Sequence, residues 1–247
     1  MFTFPKPRGV KISLNLRPGW VPSLARRHNR CVIEIIRQRL SDYEPRPAGG
    51  AFRAKAAILV PLYVLDEALH VVLTKRTDKV HSHKGEISFP GGAWDETDTD
   101  LQFTALRESH EEIGLQPRDV RVIGRIDDII TISSYYVSAY VGEIDPARSP
   151  YAWMPQELEV AEVIEVPLVH LLAPESLVEV PRNRNGELML QPAFQYGEHE
   201  VWGATYRMLR NFLDVAVSPH GPASPRADGQ TGRRAELDHT PTANSGV

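Results

Sequence analysis

Three carboxylates fall within five positions at Glu108, Glu111 and Glu112, inside the run Arg107-Glu108-Ser109-His110-Glu111-Glu112-Ile113-Gly114-Leu115. On an α-helix, at about 100° per residue, Glu111 and Glu112 stand about 60° and about 40° around the axis from Glu108, so all three crowd one face. Like charges that close raise one another's pKa unless something positive sits between them. Hard oxygen donors of this kind suit Mg²⁺ or Mn²⁺. A charge run on its own is most often a solvated helix face, and the surroundings are what favour chemistry here. Upstream, Phe89-Pro90-Gly91-Gly92 reads as the end of a strand broken into a permissive turn, and downstream Gly114 falls where a helix C-terminal glycine belongs.

The reaction such a unit suits is attack of water on a diphosphate. Phosphorus there is shielded by negative oxygens until cations neutralise them and hold the leaving group. Glu108, Glu111 and Glu112 are the candidate metal ligands, and Arg107 can pair with a glutamate and fix its rotamer through the rigid guanidinium fork. Arg76, Lys79 and Lys84 bring positive charge beside the glycine turn, suited to substrate phosphates, although solvation explains the two lysines equally well. His110 lies within the acidic helix but points off the glutamate face.

The stretch resembles the Nudix box of the Nudix hydrolases, whose pattern is Gly, five residues, Glu, seven residues, then Arg-Glu-apolar-x-Glu-Glu-x-Gly-apolar. Gly92, Arg107, Glu108, Glu111, Glu112, Gly114 and Leu115 match it. The chain departs in having fourteen residues between Gly92 and Arg107 instead of thirteen, in placing the intermediate acid at Asp98 or Glu96, and in carrying Ser109 at an apolar position. The extra residue is shared with the branch resembling coenzyme A pyrophosphatases, whose Phe-Pro-Gly-Gly-x-x-Asp-x-x-Asp is similar to Phe89 through Asp98. That branch's upstream motif is similar to Val72-Leu73-Thr74-Lys75-Arg76-Thr77 with His81, His83, Gly85 and Glu86 following, where Thr77 and His81 differ from the commonest residues.

The resemblance covers roughly residues 30 to 215. It implies an α/β protein, a Nudix-type α/β/α sandwich around a mixed β-sheet, with Mg²⁺ or Mn²⁺ as cofactor. It implies catalytic roles for Arg107 and Glu111, and substrate contacts from Arg76, His83, Gly85, Gly91 and Gly92. The general base is a box glutamate or one from a later loop; of Glu157, Glu159, Glu162 and Glu165, the candidates are Glu159 and Glu162, against the alternative of a strand whose acids face water. The implied substrate is coenzyme A or an acyl derivative, giving 3′,5′-ADP and a 4′-phosphopantetheine product. A nucleotide sugar, a dinucleotide, or a nucleotide sensor without catalysis are the rival readings, and sensors typically lose box glutamates that this chain keeps.

Composition agrees with an enzyme domain. The 247 residues carry a net charge of -4, which argues against a general binder of nucleic acid. An apolar fraction of 42% can build a sizeable core. There is no apolar run long enough for a membrane span, and Met1 to Trp20 does not read as a secretory signal. Cys31 stands alone, so no intrachain disulfide or Cys-rich zinc site is expected, and it reads as a buried small hydrophobe. The expected compartment is the cytoplasm and the expected partner a small-molecule nucleoside diphosphate derivative, with a homodimer left open.

The elements that must position these residues are legible in outline. Residues 1–23 read as an extended arm, 24–217 as the catalytic domain and 218–247 as a disordered tail. Arg27 to Tyr43 has Val32, Ile35, Ile36 and Leu40 at helical spacing. Ala56 to Tyr63 and Leu69 to Arg76 read as strands joined at Asp66-Glu67. Thr97 with Asp100 offers a capping-box start for the acidic helix, with Leu101, Ala105 and Leu106 packing inward. Strands are expected at Arg121 to Ile126 and Tyr135 to Ile144, with the loop Asp127 to Ser134 bordering the site. Leu177 to Val180 and Glu187 to Gln191 flank the turn dipeptide Asn185-Gly186. Trp202-Gly203-Ala204-Thr205, also similar to the coenzyme A branch, leads into a closing helix through Met208, Leu209, Phe212 and Leu213.

Overall fold

A computed structural model describes residues 22–78, 85–184 and 187–218. Residues 1–21, the tail beyond Ser218, His81, His83, Lys79, Lys84 and the Asn185-Gly186 dipeptide lie outside the described residues.

The central sheet is built on β1 (Ala54–Leu65), which pairs antiparallel with β2 (Ala68–Arg76) and with β4 (Gly91–Ala93), and parallel with β6 (Tyr135–Ile144). The short β3 (Ile87–Ser88) and the later β7 (Val160–Pro167) flank β2, and β5 (Val120–Ile130) closes the far edge against β6. Asp66 and Glu67, both at positive φ (47° and 62°), form the β1–β2 turn, as a two-residue hairpin with right-handed strand twist requires.

Because successive strand residues alternate faces, β1 supplies two cores. Ala57, Leu59 and Tyr63 pack with Ala105, Ile113 and Leu115 of or beside the acidic helix α2 (Leu101–Ile113). Ile58, Val60 and Leu62 face the other way, against α1 (Pro22–Ser41) and α4 (Gly203–Phe212), the latter extended by a π-helical turn over Leu213–Val217. Helices therefore cover both faces of a mixed sheet, the expected α/β/α sandwich. A three-stranded sheet of β8 (Leu177–Arg184), β9 (Glu187–Tyr196) and β10 (His199–Val201) is added through Phe194 and Val201, with the one-turn α3 (Leu168–Leu171) before it. No helix among the described residues is long and apolar enough to cross a membrane.

Several boundaries differ from expectation. Helix α1 begins at Pro22, ahead of Arg27, and its buried stripe is Ile33, Ile36 and Leu40, leaving Ile35 46% exposed. Cys31 is exposed, not buried: two residues before Ile33, it is rotated about 160° from that stripe. Strand β5 runs on to Ile130 through two register shifts, so Asp127 to Ile130 are strand and only Thr131–Ser134 turn. The Asp127 carboxylate accepts from the Tyr43 hydroxyl at 2.5 Å and from Arg46 Nη2 at 2.6 Å. This segment thus braces the chain after α1 and does not line the acidic cavity.

Candidate active site

Helix α2 is launched by Asp100, whose side chain accepts from the Phe103 N–H at 2.8 Å. Thr97 is not the cap; its N–H and hydroxyl both donate to Asp95 Oδ1, at 2.9 and 2.7 Å. The helix stops at Gly114, which takes a left-handed φ of 74° and returns its N–H to the His110 carbonyl. Ser109, polar where the family pattern is apolar, is fully buried, and its hydroxyl donates to the Ala105 carbonyl at 2.6 Å. A small side chain satisfied by its own helix lets α2 pack on the sheet without an orphaned hydroxyl.

The double glycine is explained by close approach. Gly91 has φ of 149°, and a β-carbon there would overlap the Ala57 carbonyl and lie 2.6 Å from Ile58 Cα. At Gly92 a β-carbon would collide with the Glu108 carboxylate. The turn can therefore lie flat against β1 while α2 lays a glutamate directly over it. The Gly91 N–H donates to Glu112 Oε2 at 3.1 Å, which ties turn to helix.

Glu108, Glu111 and Glu112 line one cavity of about 370 Å³ together with Gln156 and Glu159. Glu112 is 4% exposed, and burial pushes its carboxyl up to about 7, against the pull of the Gly91 N–H and Arg76. Burial also raises Glu108, opposed by Arg107 and reinforced by Glu111 and Glu159. Arg107 is the counterweight. Its Nη1 reaches Glu108 Oε1 and Glu111 Oε2, each at 2.9 Å, while Nε and Nη2 grip the two oxygens of Asp98 at 2.8 and 3.0 Å.

Asp98 is buried and also accepts from the Thr104 hydroxyl at 2.8 Å, whereas Glu96 is exposed. Asp98, not Glu96, is thus the intermediate acid. The hydrogen bonds from Arg107 hold it well below the usual carboxylate range and raise the guanidinium in turn. Asp98 orients the arginine and the arginine splays across two of the glutamates, a relay that the spacing of the acids left ambiguous.

Arg76 is brought to the site, with Nη1 3.6 Å from Glu112 Oε1. Glu159 is brought there by the segment before β7. The Gln156 side-chain oxygen accepts from the Leu158 and Glu159 N–H groups at 2.6 and 3.2 Å, and the Gln156 N–H donates to the Glu112 carbonyl at 2.9 Å. From the other side Thr77 donates its hydroxyl to the Leu158 carbonyl at 2.7 Å and its N–H to the Glu159 carbonyl at 2.9 Å. Neither Gln156 nor Thr77 stood out as a site residue in the sequence; their signal is a polar side chain set against loop backbone, visible only once the loop's fold is known.

Glu162 is not brought to the cavity. It shares a sheet face with Ile164 and Val166, which pack under α1 and α4, and its carboxylate lies 3.3 Å from His199 Nε2. Glu165 sits on the α2 face but is taken up by the Tyr63 hydroxyl and by Trp153 Nε1. Gly85, at φ of 67°, does not line the cavity.

The donor set fits a hard divalent cation. Glu108, Glu111, Glu112 and Glu159 converge on one small cavity where burial already disfavours the charge on two of them, the situation a bound dication relieves. Among the described residues no three such side chains stand preassembled as a cage, and Arg107 and the Gly91 N–H engage oxygens of all three box glutamates.

Residues 55–185 match the family model described as NUDIX domain. A protein of Enterobacter sp. (strain 638) named as an uncharacterized Nudix hydrolase NudL is 35% identical over 168 residues, covering 68% of this chain and 85% of its own. Its namesake in Escherichia coli O7:K1 (strain IAI39 / ExPEC) is 34% identical over 166 residues, covering 67% and 84%. Among solved structures, a MutT/nudix family protein from Enterococcus faecalis aligns with a TM-score of 0.45 at 14% identity, over 83% of this chain and 78% of that one.

Proposed function

This chain belongs to the Nudix hydrolase family and is a pyrophosphohydrolase, and from that premise we propose that it cleaves the diphosphate of coenzyme A or an acyl-coenzyme A. The products are 3′,5′-ADP and the (acyl-)4′-phosphopantetheine, and the catalytic domain is residues 24–217.

The observation that carries this reading is the grouping of Glu108, Glu111, Glu112 and Glu159 around one cavity, with Arg107 and Arg76 at its edges. Glu108, Glu111 and Glu112 are the residues that would hold Mg²⁺ or Mn²⁺. When bound, such an ion neutralises phosphate oxygens and lowers the pKa of coordinated water. Arg76 is placed to meet a phosphate oxygen through its fork of N–H donors. Arg107, anchored by Asp98, keeps Glu108 and Glu111 in register until charge on the substrate competes for them. Glu159 is the base: it takes a proton from the attacking water as the new P–O bond forms, and the old bridging P–O bond breaks with its electron pair leaving on the departing phosphate.

The substrate rests on different ground. The fourteen-residue spacing from Gly92 to Arg107 and the upstream run Val72 to Arg76 resemble those of the coenzyme A branch, from which Thr77 departs, and the same run delivers Arg76 beside Glu112 and Thr77 beneath Glu159.

The test is incubation of the purified chain with coenzyme A, ADP-ribose, a dinucleoside polyphosphate and NADH, with Mg²⁺ or Mn²⁺, and identification of products by chromatography. Release of 3′,5′-ADP from coenzyme A in preference to the other reactions is the expected result. Coenzyme A left intact while another diphosphate is consumed rejects the substrate, and no turnover of any of them in either metal rejects the catalytic reading.

A further inference from the structure

A second concavity, of about 760 Å³, opens at the start of α2, and Phe52, Arg53, Lys55, Trp94 and Tyr140 are among the residues that line it, with the Trp94 backbone N–H donating to the Lys55 carbonyl at 3.0 Å. Its chemistry is unlike that of the acidic cavity. Phe52 and Trp94 leave 44% and 42% of their surfaces in water, so two aromatic side chains on the lining of one concavity are open to a ligand. Lys55 shares the sheet face of Ala57 and Leu59, and its ammonium has no ion-pair partner among the described residues. The Trp94 indole N–H likewise has no acceptor there. Arg53 stacks on the Tyr135 ring at 4.8 Å and Phe52 packs on Tyr136 with ring centroids 5.1 Å apart, so both are held in place from behind. The one carboxylate on this rim, Asp100, is occupied in capping α2.

The groove adjoins the acidic cavity. Arg107 Nη2 donates to the Ala93 carbonyl at 3.2 Å, immediately before Trp94, while its Nη1 holds Glu108 and Glu111. Leu101 on the groove wall and Glu108 on the cavity wall are seven residues apart on α2, about 20° around the axis and about 10 Å along it. The two concavities thus lie along one side of the same helix.

We propose that this groove binds the adenine nucleotide half of the substrate, with the base stacked on Trp94 and Phe52 and a phosphate met by Lys55 and Arg53. Two cations beside exposed aromatic faces complement a flat ring bearing an anion, since any base offers a π-face and phosphate pairs with ammonium and guanidinium. This identification rests on the reading of the acidic cavity as a diphosphate site, and it adds how the nucleotide would be selected: a ligand with a phosphate distinct from the scissile diphosphate gains from Lys55, one without it does not.

The test is calorimetric titration of the full chain in EDTA with 3′,5′-ADP, 5′-AMP and adenosine, comparing wild type with Trp94→Ala and Lys55→Gln. Both side chains are exposed, and a thermal melt checks that each variant is folded. Saturable binding of 3′,5′-ADP, weakened about tenfold or more by Trp94→Ala and weakened by Lys55→Gln without change in adenosine binding, is the expected result. No binding to wild type, or binding that survives both substitutions, overturns the proposal. Its failure is separable from that of the catalytic reading. Coenzyme A cleaved with a KM unmoved by Trp94→Ala rejects the groove alone, while coenzyme A left intact with 3′,5′-ADP binding lost in Trp94→Ala rejects the substrate and keeps the groove.

Discussion

Gly92 and Glu108 contend for the same space: a β-carbon on residue 92 would stand within the Glu108 carboxylate. The turn is therefore a template for the glutamate, and its lack of a side chain is a condition of where that carboxylate points. Gly92→Ala should displace Glu108 by about 1 Å and lower kcat by on the order of a hundredfold, while far-ultraviolet circular dichroism stays unchanged. Activity within a few-fold of wild type would show that Glu108 tolerates a different placement.

Glu112 couples stability to pH in the metal-free protein. Burial raises its folded pKa to about 7, above the value of about 4.3 for an unfolded glutamate. Between those values the native state holds a proton that the unfolded state has released, so stability falls as pH rises through that window and levels off above it. The contribution is about 4 kcal/mol. Urea denaturation in EDTA from pH 5 to 8 should show this decline. Glu112→Gln should flatten it, raise stability at pH 8, and abolish turnover, and saturating Mg²⁺ should restore wild-type stability at high pH.

Asp98 orients Arg107 without lining the cavity. Asp98→Asn removes the charge that holds the guanidinium, and kcat should fall by roughly ten- to a hundredfold with little change in KM, in line with residues that support metal ligands from behind. A change in KM alone would place Arg107 on the substrate and not on the glutamates.

The two candidate bases are separated by the sheet. Glu159→Gln should lower kcat by about 10² to 10⁴. Glu162→Gln, facing His199 on the opposite side, should stay within about twofold of wild type. The reverse pattern would reject the assignment of the base.

Thr77 pins the loop that carries Glu159. Thr77→Val keeps the shape but deletes the hydroxyl bonded to the Leu158 carbonyl, which should cost about 1 kcal/mol of stability and lower kcat several-fold. Thr77→Ser should recover both, since the hydroxyl is retained.

Much of the fold was legible because it follows local periodicity. The short apolar runs in β1, β2 and β6 and the glutamate spacing on α2 mark those elements in the sequence, and Tyr135 to Ile144 has the same limits in both. What failed has specific causes. Cys31 and Ile35 lie among apolar neighbours, but which third of α1 is buried depends on where β5 and the π-helical turn Leu213–Val217 press on it. Residues 127–130 look like a polar loop because Asp127 and Asp128 interrupt the apolar pattern, yet Tyr43, Arg46 and Arg125 satisfy those acids within a strand.

The identity of the reacting groups divides along the same line. Spacing along one helix is a short-range property, so the sequence alone put Glu108, Glu111 and Glu112 on a common face, with Arg107 one step away, a double glycine ahead and a glycine stop behind. Which acid would reach that face from elsewhere was beyond it. Glu159 and Glu162 are three residues apart in a strand region, and only the pairing of β7 with β2, with its register shift at Lys75/Arg76, decides which lies beside the cavity. The same holds for Asp98 over Glu96, and for the aromatic groove, assembled from three segments up to 88 residues apart between Phe52 and Tyr140. Contacts over such distances depend on how strands register and sheets pack, and no local pattern encodes them.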